Sequence, residues 1–174
     1  MTHREPIETK NLDIYGNAPL EWSRARDDLA AGWPRAETPV FLGTVRPDGR
    51  PHSAGIGAAW HDGEAYFVSG PNTRKSRNVA ANPACTISAR LATIDLVLEG
   101  EARRVIEPGT LETLAGVYRD AGWPAEVEGD AFTAPFSAPS AGPPPWNLYH
   151  VPVHTAFAVG STEPHGATRW RFES

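Results

Sequence analysis

The segment Asn72–Asn82 carries the densest chemistry in the chain: Thr73, Arg74, Lys75, Ser76, Arg77 and Asn78 in unbroken succession. Thr73 or Asn72 is suited to cap a helix that Asn82-Pro83 would stop. The start of a helix presents free N–H groups and the positive end of the helix dipole. Cations are unfavourable there unless an anion lies among them. Three of them, Arg74, Lys75 and Arg77, crowd this one helix start, and a phosphate would satisfy both the N–H groups and the guanidinium forks. A solvated basic turn is the other reading of the same residues.

The charge distribution sharpens that contrast. The 174-residue chain has a formal net charge of −5, which argues against binding nucleic acid over its whole surface. From Ala65 to Ile94 there is no Asp or Glu, while Arg74, Lys75, Arg77 and Arg90 fall inside the window. A positive island in an acidic chain suits a specific anionic ligand better than a polyanion.

Other candidate residues carry less. His150 and His154 are four apart, but Pro152 lies between them and breaks helical ligand spacing, so no metal site is expected. Cys85, the only cysteine, falls in an apolar stretch and reads as packing rather than as a nucleophile. It excludes an internal disulfide framework and fits a reducing compartment. Six tryptophans are present; Trp60, Trp146 and Trp170 suit either core packing, a ring-binding pocket or a subunit seam. No Walker, Gly-x-Ser-x-Gly or Gly-x-Gly-x-x-Gly pattern occurs, and no residue is assigned a catalytic role.

The elements that must position these residues are mostly short strands. Residues 1–19 read as an irregular arm and 20–31 as a short helix. Val40–Val45, Pro51–Trp60 and Ala65–Ser69 are expected strands of a meander, joined by Asp48-Gly49 and His61-Asp62-Gly63 turns. Ala84–Arg90 and Ile94–Ile106 follow, the second with a bend expected at Gly100. Pro108–Ala121 reads as a helix, Trp123–Pro145 as a Pro-rich loop, and Val153–Val159 and Thr168–Phe172 as closing strands. The expectation is a mainly β fold, a barrel or sandwich with peripheral helices. It forms one domain over 20–174, with a loop insertion at 122–147. No apolar run long enough to span a bilayer and no signal-peptide core is visible, so the chain is read as cytoplasmic, with no membrane partner.

From Phe41 to Gly100 the chain resembles the pyridoxamine 5′-phosphate oxidase-like, FMN-binding split barrels, a superfamily that includes deazaflavin oxidoreductases using coenzyme F420. The matching pieces are Val45-Arg46-Pro47-Asp48-Gly49-Arg50-Pro51-His52, Tyr66-Phe67-Val68-Ser69-Gly70, Thr73–Asn78 with Asn82-Pro83, and Asp95-Leu96-Val97-Leu98-Glu99-Gly100. Phe157–Phe172 is similar to the family's last strands.

The resemblance implies a split β-barrel of Greek-key type. It implies Arg74 and Lys75 on the cofactor phosphate, Thr73, Arg77 and Asn78 beside them, and Ser69 on the phosphate or sugar-alcohol chain. His52, Gly55, Ile56, Gly57 and Ala58 would lie along the ring through backbone groups. Gly55 and Gly57 fit such close approach, or else a bulge. Asp95 would be a polar contact to the ring or a solvent-facing strand residue, and Arg171 a late cofactor arginine or a surface one.

The chain departs from the true oxidase at Ala54 and Ala59, where that enzyme has an arginine and a lysine. It also departs at Ala167-Thr168-Arg169-Trp170, which lacks the Arg-Leu-His substrate motif. The implied function is therefore an FMN- or F420-dependent oxidoreductase of another kind, acting on an unidentified small molecule. It would be a homodimer with the cofactor at the interface. The alternative is a non-enzymatic carrier or sensor of a flavin, F420 or haem.

Overall fold

The computed structural model describes residues 4–173. Two antiparallel sheets dominate it. The larger takes the order β1 (Glu8–Asn11), β13 (Ala167–Arg171), β12 (Val153–Gly160), β7 (Ile94–Glu101), β6 (Ala84–Arg90), β2 (Val40–Val45), β3 (Pro51–Gly55). The smaller runs β4 (Gly57–His61), β5 (Glu64–Ser69), β11 (Asn147–Val151), β8 (Arg103–Val105). The architecture is the split barrel expected from the sequence.

Three short joints pass the chain between sheets. Ile56 separates β3 from β4, Ala102 separates β7 from β8, and Pro152 separates β11 from β12. Main-chain donors left unpaired away from water at a joint would be costly, and they are satisfied: Ile56 N donates to Val40 O at 3.0 Å and Ala102 N to Pro83 O at 2.8 Å. The joints correct two expectations. Pro51–Trp60 is two strands in different sheets, so Val40–Ser69 is not one meander. Ile94–Ile106 breaks at Ala102, and Gly100 lies within β7. A Cβ on Gly100 would stand 2.4 Å from Pro152 O, so the glycine serves the close passage of the neighbouring joint.

Inside the barrel, alternate residues of the strands meet α1 (Trp22–Gly32). Leu42, Ile87, Leu98 and Trp170 are fully buried there with Leu29. Trp22 of α1 packs edge-on against Trp60, Trp170 and Phe172, with centroids 4.8–6.4 Å apart. A second core lies under α3 (Pro108–Asp120), where Leu111, Leu114 and Tyr118 meet Phe132 and Leu148. Pro108 opens that helix and Glu107 caps it, accepting from Gly109 N at 2.8 Å and Thr110 N at 2.6 Å.

Four strands lie where none was expected. β1 falls in the supposed irregular arm, paired with β13 from Glu8↔Arg171 to Asn11↔Thr168. The hairpin β9 (Glu126–Glu128) and β10 (Ala131–Thr133) falls in the supposed loop, and β11 just after it. His150 and His154 consequently sit on different strands, either side of Pro152.

Candidate functional site

β5 ends at Ser69, and α2 (Arg74–Ala81) begins after four intervening residues. Thr73 is the cap foreseen from the sequence. Its Oγ1 accepts from Ser76 N at 3.3 Å and donates to Gly70 O at 2.8 Å. Ser76 Oγ donates to Ser69 Oγ at 2.7 Å, and Ser69 Oγ is hydrogen-bonded to Thr73 Oγ1 at 2.9 Å. These hydroxyls lock the helix start onto the end of the strand. Asn78, 1% exposed, donates to Thr44 Oγ1 at 2.9 Å and so ties α2 to β2.

The helix therefore divides its polar residues between two faces. Ser76 and Asn78 point inward as struts, while Arg74 and Arg77 are exposed. Lys75 is the exception. It is only 6% exposed, yet it donates no hydrogen bond to any described residue and forms no ion pair with one. Burial pushes its ammonium below the ordinary lysine range, and no carboxylate opposes that. A largely buried side chain whose charge has no partner within the chain is disfavoured unless its head reaches solvent or a ligand.

Lys75 and Ser69 border a cavity of about 630 Å³, within the ~300–1,000 Å³ usual for ligand pockets. Its floor is the β3–β4 joint, Gly55-Ile56-Gly57-Ala58. A Cβ added to Gly55 or Gly57 would meet nothing within 4 Å. The missing side chains thus open space rather than relieve a clash. Tyr118, Trp123, Phe136 and Trp146 wall one side, and Pro34, Thr38 and Phe41 border the cavity as well. Tyr118 Oη donates to Gly57 O at 2.9 Å, and burial pushes its phenol far up.

Two indoles pin the Pro-rich segment in place: Trp123 Nε1 donates to Phe136 O at 2.7 Å and Trp146 Nε1 to Gly142 O at 3.1 Å. This segment, read from the sequence only as a loop, contributes Phe136, Ser137, Ala138, Ser140 and Ala141 to the cavity. Of the three tryptophans singled out, Trp146 faces the cavity, while Trp60 and Trp170 pack in the core.

His52, on β3, stands beside this corner. Burial lowers its affinity for a proton, and Arg46, Arg74 and Lys75 lower it further. These four basic groups are therefore electrostatic neighbours. Asp95 and Arg171 are elsewhere. Asp95 is bound by Arg90 through two contacts of 2.6 and 2.8 Å, and that guanidinium holds its carboxyl below the usual range. Arg171 lies on β13 and pairs with Glu8 at 3.3 Å. Neither borders the cavity.

Among the described residues no carboxylate, imidazole or thiol lines the cavity. Cys85 is buried in the barrel core, its thiol pushed up to about 12, and serves packing. Among the described residues no cluster of three His, Cys, Asp or Glu is placed to hold a metal ion. No helix among them is long and apolar enough to cross a membrane. The arrangement can anchor an anion at one end and hold a flat apolar body along its floor.

Residues 27–134 match the sequence profile of pyridoxamine 5′-phosphate oxidase. The chain belongs to that family. No curated protein matches it in sequence. Among solved structures, a pyridoxamine 5′-phosphate oxidase-related, FMN-binding protein from Nostoc punctiforme superposes with a TM-score of 0.56 at 14% identity. The match covers 86% of this chain and 90% of the other. An F420 reductase gives 0.50 at 21% identity, covering 72% and 93%. A heme-binding protein from Mycobacterium smegmatis gives 0.57 at 13%, covering 86% of this chain and 58% of that one. At these identities the likeness establishes the family's split-barrel fold in this chain.

Proposed function

We propose that the cavity binds a flavin or deazaflavin, FMN or F420, through its phosphate, and that the protein is an oxidoreductase acting on a small molecule. The observation that carries this reading is Lys75: a buried cation with no internal partner, at a capped helix start, on the edge of a cavity. Lys75 and Arg74 would hold the phosphate, with Arg77 near by. The open space above Gly55 and Gly57 would receive the ring, with Ile56 and Ala58 beside it. When bound, such a cofactor supplies hydride chemistry.

The chain's own part is to bind, orient and exclude water. Tyr118 keeps Gly57 O occupied and fixes the floor, and the aromatic wall shields the ring's surroundings. Ser69 and Thr73 hold the helix start at its angle to the strand, with Thr73 Oγ1 capping Ser76 N. Among the lining residues, the acid–base groups are Lys75, rim residue Arg35 and the committed phenol of Tyr118. Proton chemistry would therefore fall to the cofactor and substrate.

A homodimer belongs to the same reading. The outer face of the large sheet exposes Phe41 (49%) and Val159 (54%) beside Val97 and Phe157, an apolar patch suited to a second copy. The rival is a carrier without turnover. For haem, Tyr118 is the axial-ligand type among the described lining residues, and its Oη is already committed to Gly57 O. The deciding test mixes the protein bearing reduced cofactor with a panel of hydride acceptors under anaerobic conditions. An oxidoreductase reoxidises the cofactor faster than free solution does for at least one acceptor; a carrier slows every one.

A further inference from the structure

We propose that His52 is a further ligand to the anion held at the start of α2, and that it takes up a proton when that anion binds. The inference rests on reading the Lys75 corner as an anion site and goes beyond it by coupling the site to pH.

Register places the side chain. His52 pairs with Thr44 across β2 and β3, so the two share a face of the sheet. Thr44 is the residue that Asn78 of α2 grips, so that face is the one α2 covers. His52 Nδ1 is buried and has no hydrogen-bond partner. A buried ring nitrogen is normally paired, so this one is waiting for a group the chain does not supply.

The charges facing it are all of one sign. Arg46 comes from the end of β2, Arg74 and Lys75 come from α2, and no carboxylate acts on the ring. Its own strand, Pro51–Gly55, holds no other ionisable side chain. The nearest carboxylate in sequence, Asp48, is 3.9 Å from Arg50 Nε and accepts from Arg50 N within the hairpin turn. In the free protein burial and the three cations favour the neutral imidazole. An anion among Arg46, Arg74 and Lys75 removes the repulsion and adds attraction, so the protonated ring becomes the favoured form. Binding is then tightest at pH values below the free imidazole's transition. It weakens as pH rises through the window between the free and bound transitions.

The ligand class is a phosphate or sulfate group. Sulfate is the probe of choice because its own charge is constant across the range. The experiment follows the His52 ring by NMR in the full chain, with and without sulfate at ionic strength matched by chloride. Sulfate affinity is measured in parallel from pH 5.5 to 8. The expected result is a free transition below the ordinary 6.5 that sulfate raises by about one unit, with affinity falling about tenfold toward pH 8. His52→Asn should flatten that profile, and His52→Lys should bind sulfate about equally at both ends of it. Sulfate binding that leaves the His52 transition in place overturns the role of His52 while leaving the Lys75 corner standing. No sulfate binding at any pH overturns both.

Discussion

Cations in two regions of this molecule look alike in the sequence and differ in the fold. On the outer sheet, Arg90 is bound to Asp95, and Arg169 and Arg171 to Glu8. At the start of α2, Arg74, Lys75 and Arg77 have no carboxylate partner among the described residues, and Lys75 is buried as well. A charge already matched within the chain closes a strand edge or steadies a surface. A buried charge left unmatched stores a cost that a ligand can relieve. The difference leaves Arg74, Lys75 and Arg77 unmatched within the chain, while Asp95 and Arg171 are matched.

The largest effect should come from removing the unmatched charges. Arg74→Ala with Lys75→Ala deletes two charge-assisted contacts, each worth about 1.5–3 kcal/mol. Affinity for FMN or F420 should fall roughly 10²–10⁴-fold, read by cofactor fluorescence, with an unchanged circular dichroism spectrum. A loss below tenfold would remove the distinction between the regions.

A smaller and opposite effect is expected on stability. Between the lowered transition of Lys75 and its ordinary 10.5, the folded chain binds fewer protons than the unfolded chain. The ligand-free protein should therefore gain stability as pH rises through that window. Lys75→Met removes the buried charge. It should raise Tm by roughly 2–4 °C at pH 7, as about 1 kcal/mol does for a chain of this size, and should flatten that slope, while phosphate binding is lost. A variant that is less stable than the parent would mean that Lys75 already has its partner.

The smallest effect is the control on the outer sheet. Asp95→Asn breaks an exposed ion pair of the kind that contributes little. Cofactor affinity should stay within about twofold, and Tm within about 2 °C, in the same titration and melt. A large loss of affinity would move the ring toward that face and would favour the family-derived role of Asp95.

The α2 corner was legible because its signals are local. A capping Thr73, the basic run and the Asn82-Pro83 stop lie within eleven residues, and they resolve into the helix Arg74–Ala81. The cavity was mostly not legible, because its walls come from distant segments. Trp123 and Trp146 carry no periodic pattern, and the indole bonds that pin the Pro-rich segment exist only after folding. The division of β3 from β4 was hidden because alternation continues past Ile56 into a different sheet. β1 was hidden for another reason: Glu-Thr-Lys-Asn is wholly exposed and has no apolar face to betray a strand. β11 is buried at four of five positions, which erases the period of two.

The central claim is that the cavity beside Lys75 is built for a phosphate-bearing flavin or deazaflavin. Paired fluorescence titrations of the ligand-free protein with FMN and with F420 test it most directly. Saturable binding of at least one of them is expected at one equivalent per chain, competed by sulfate. Binding of neither, or binding that sulfate leaves unchanged, would contradict it.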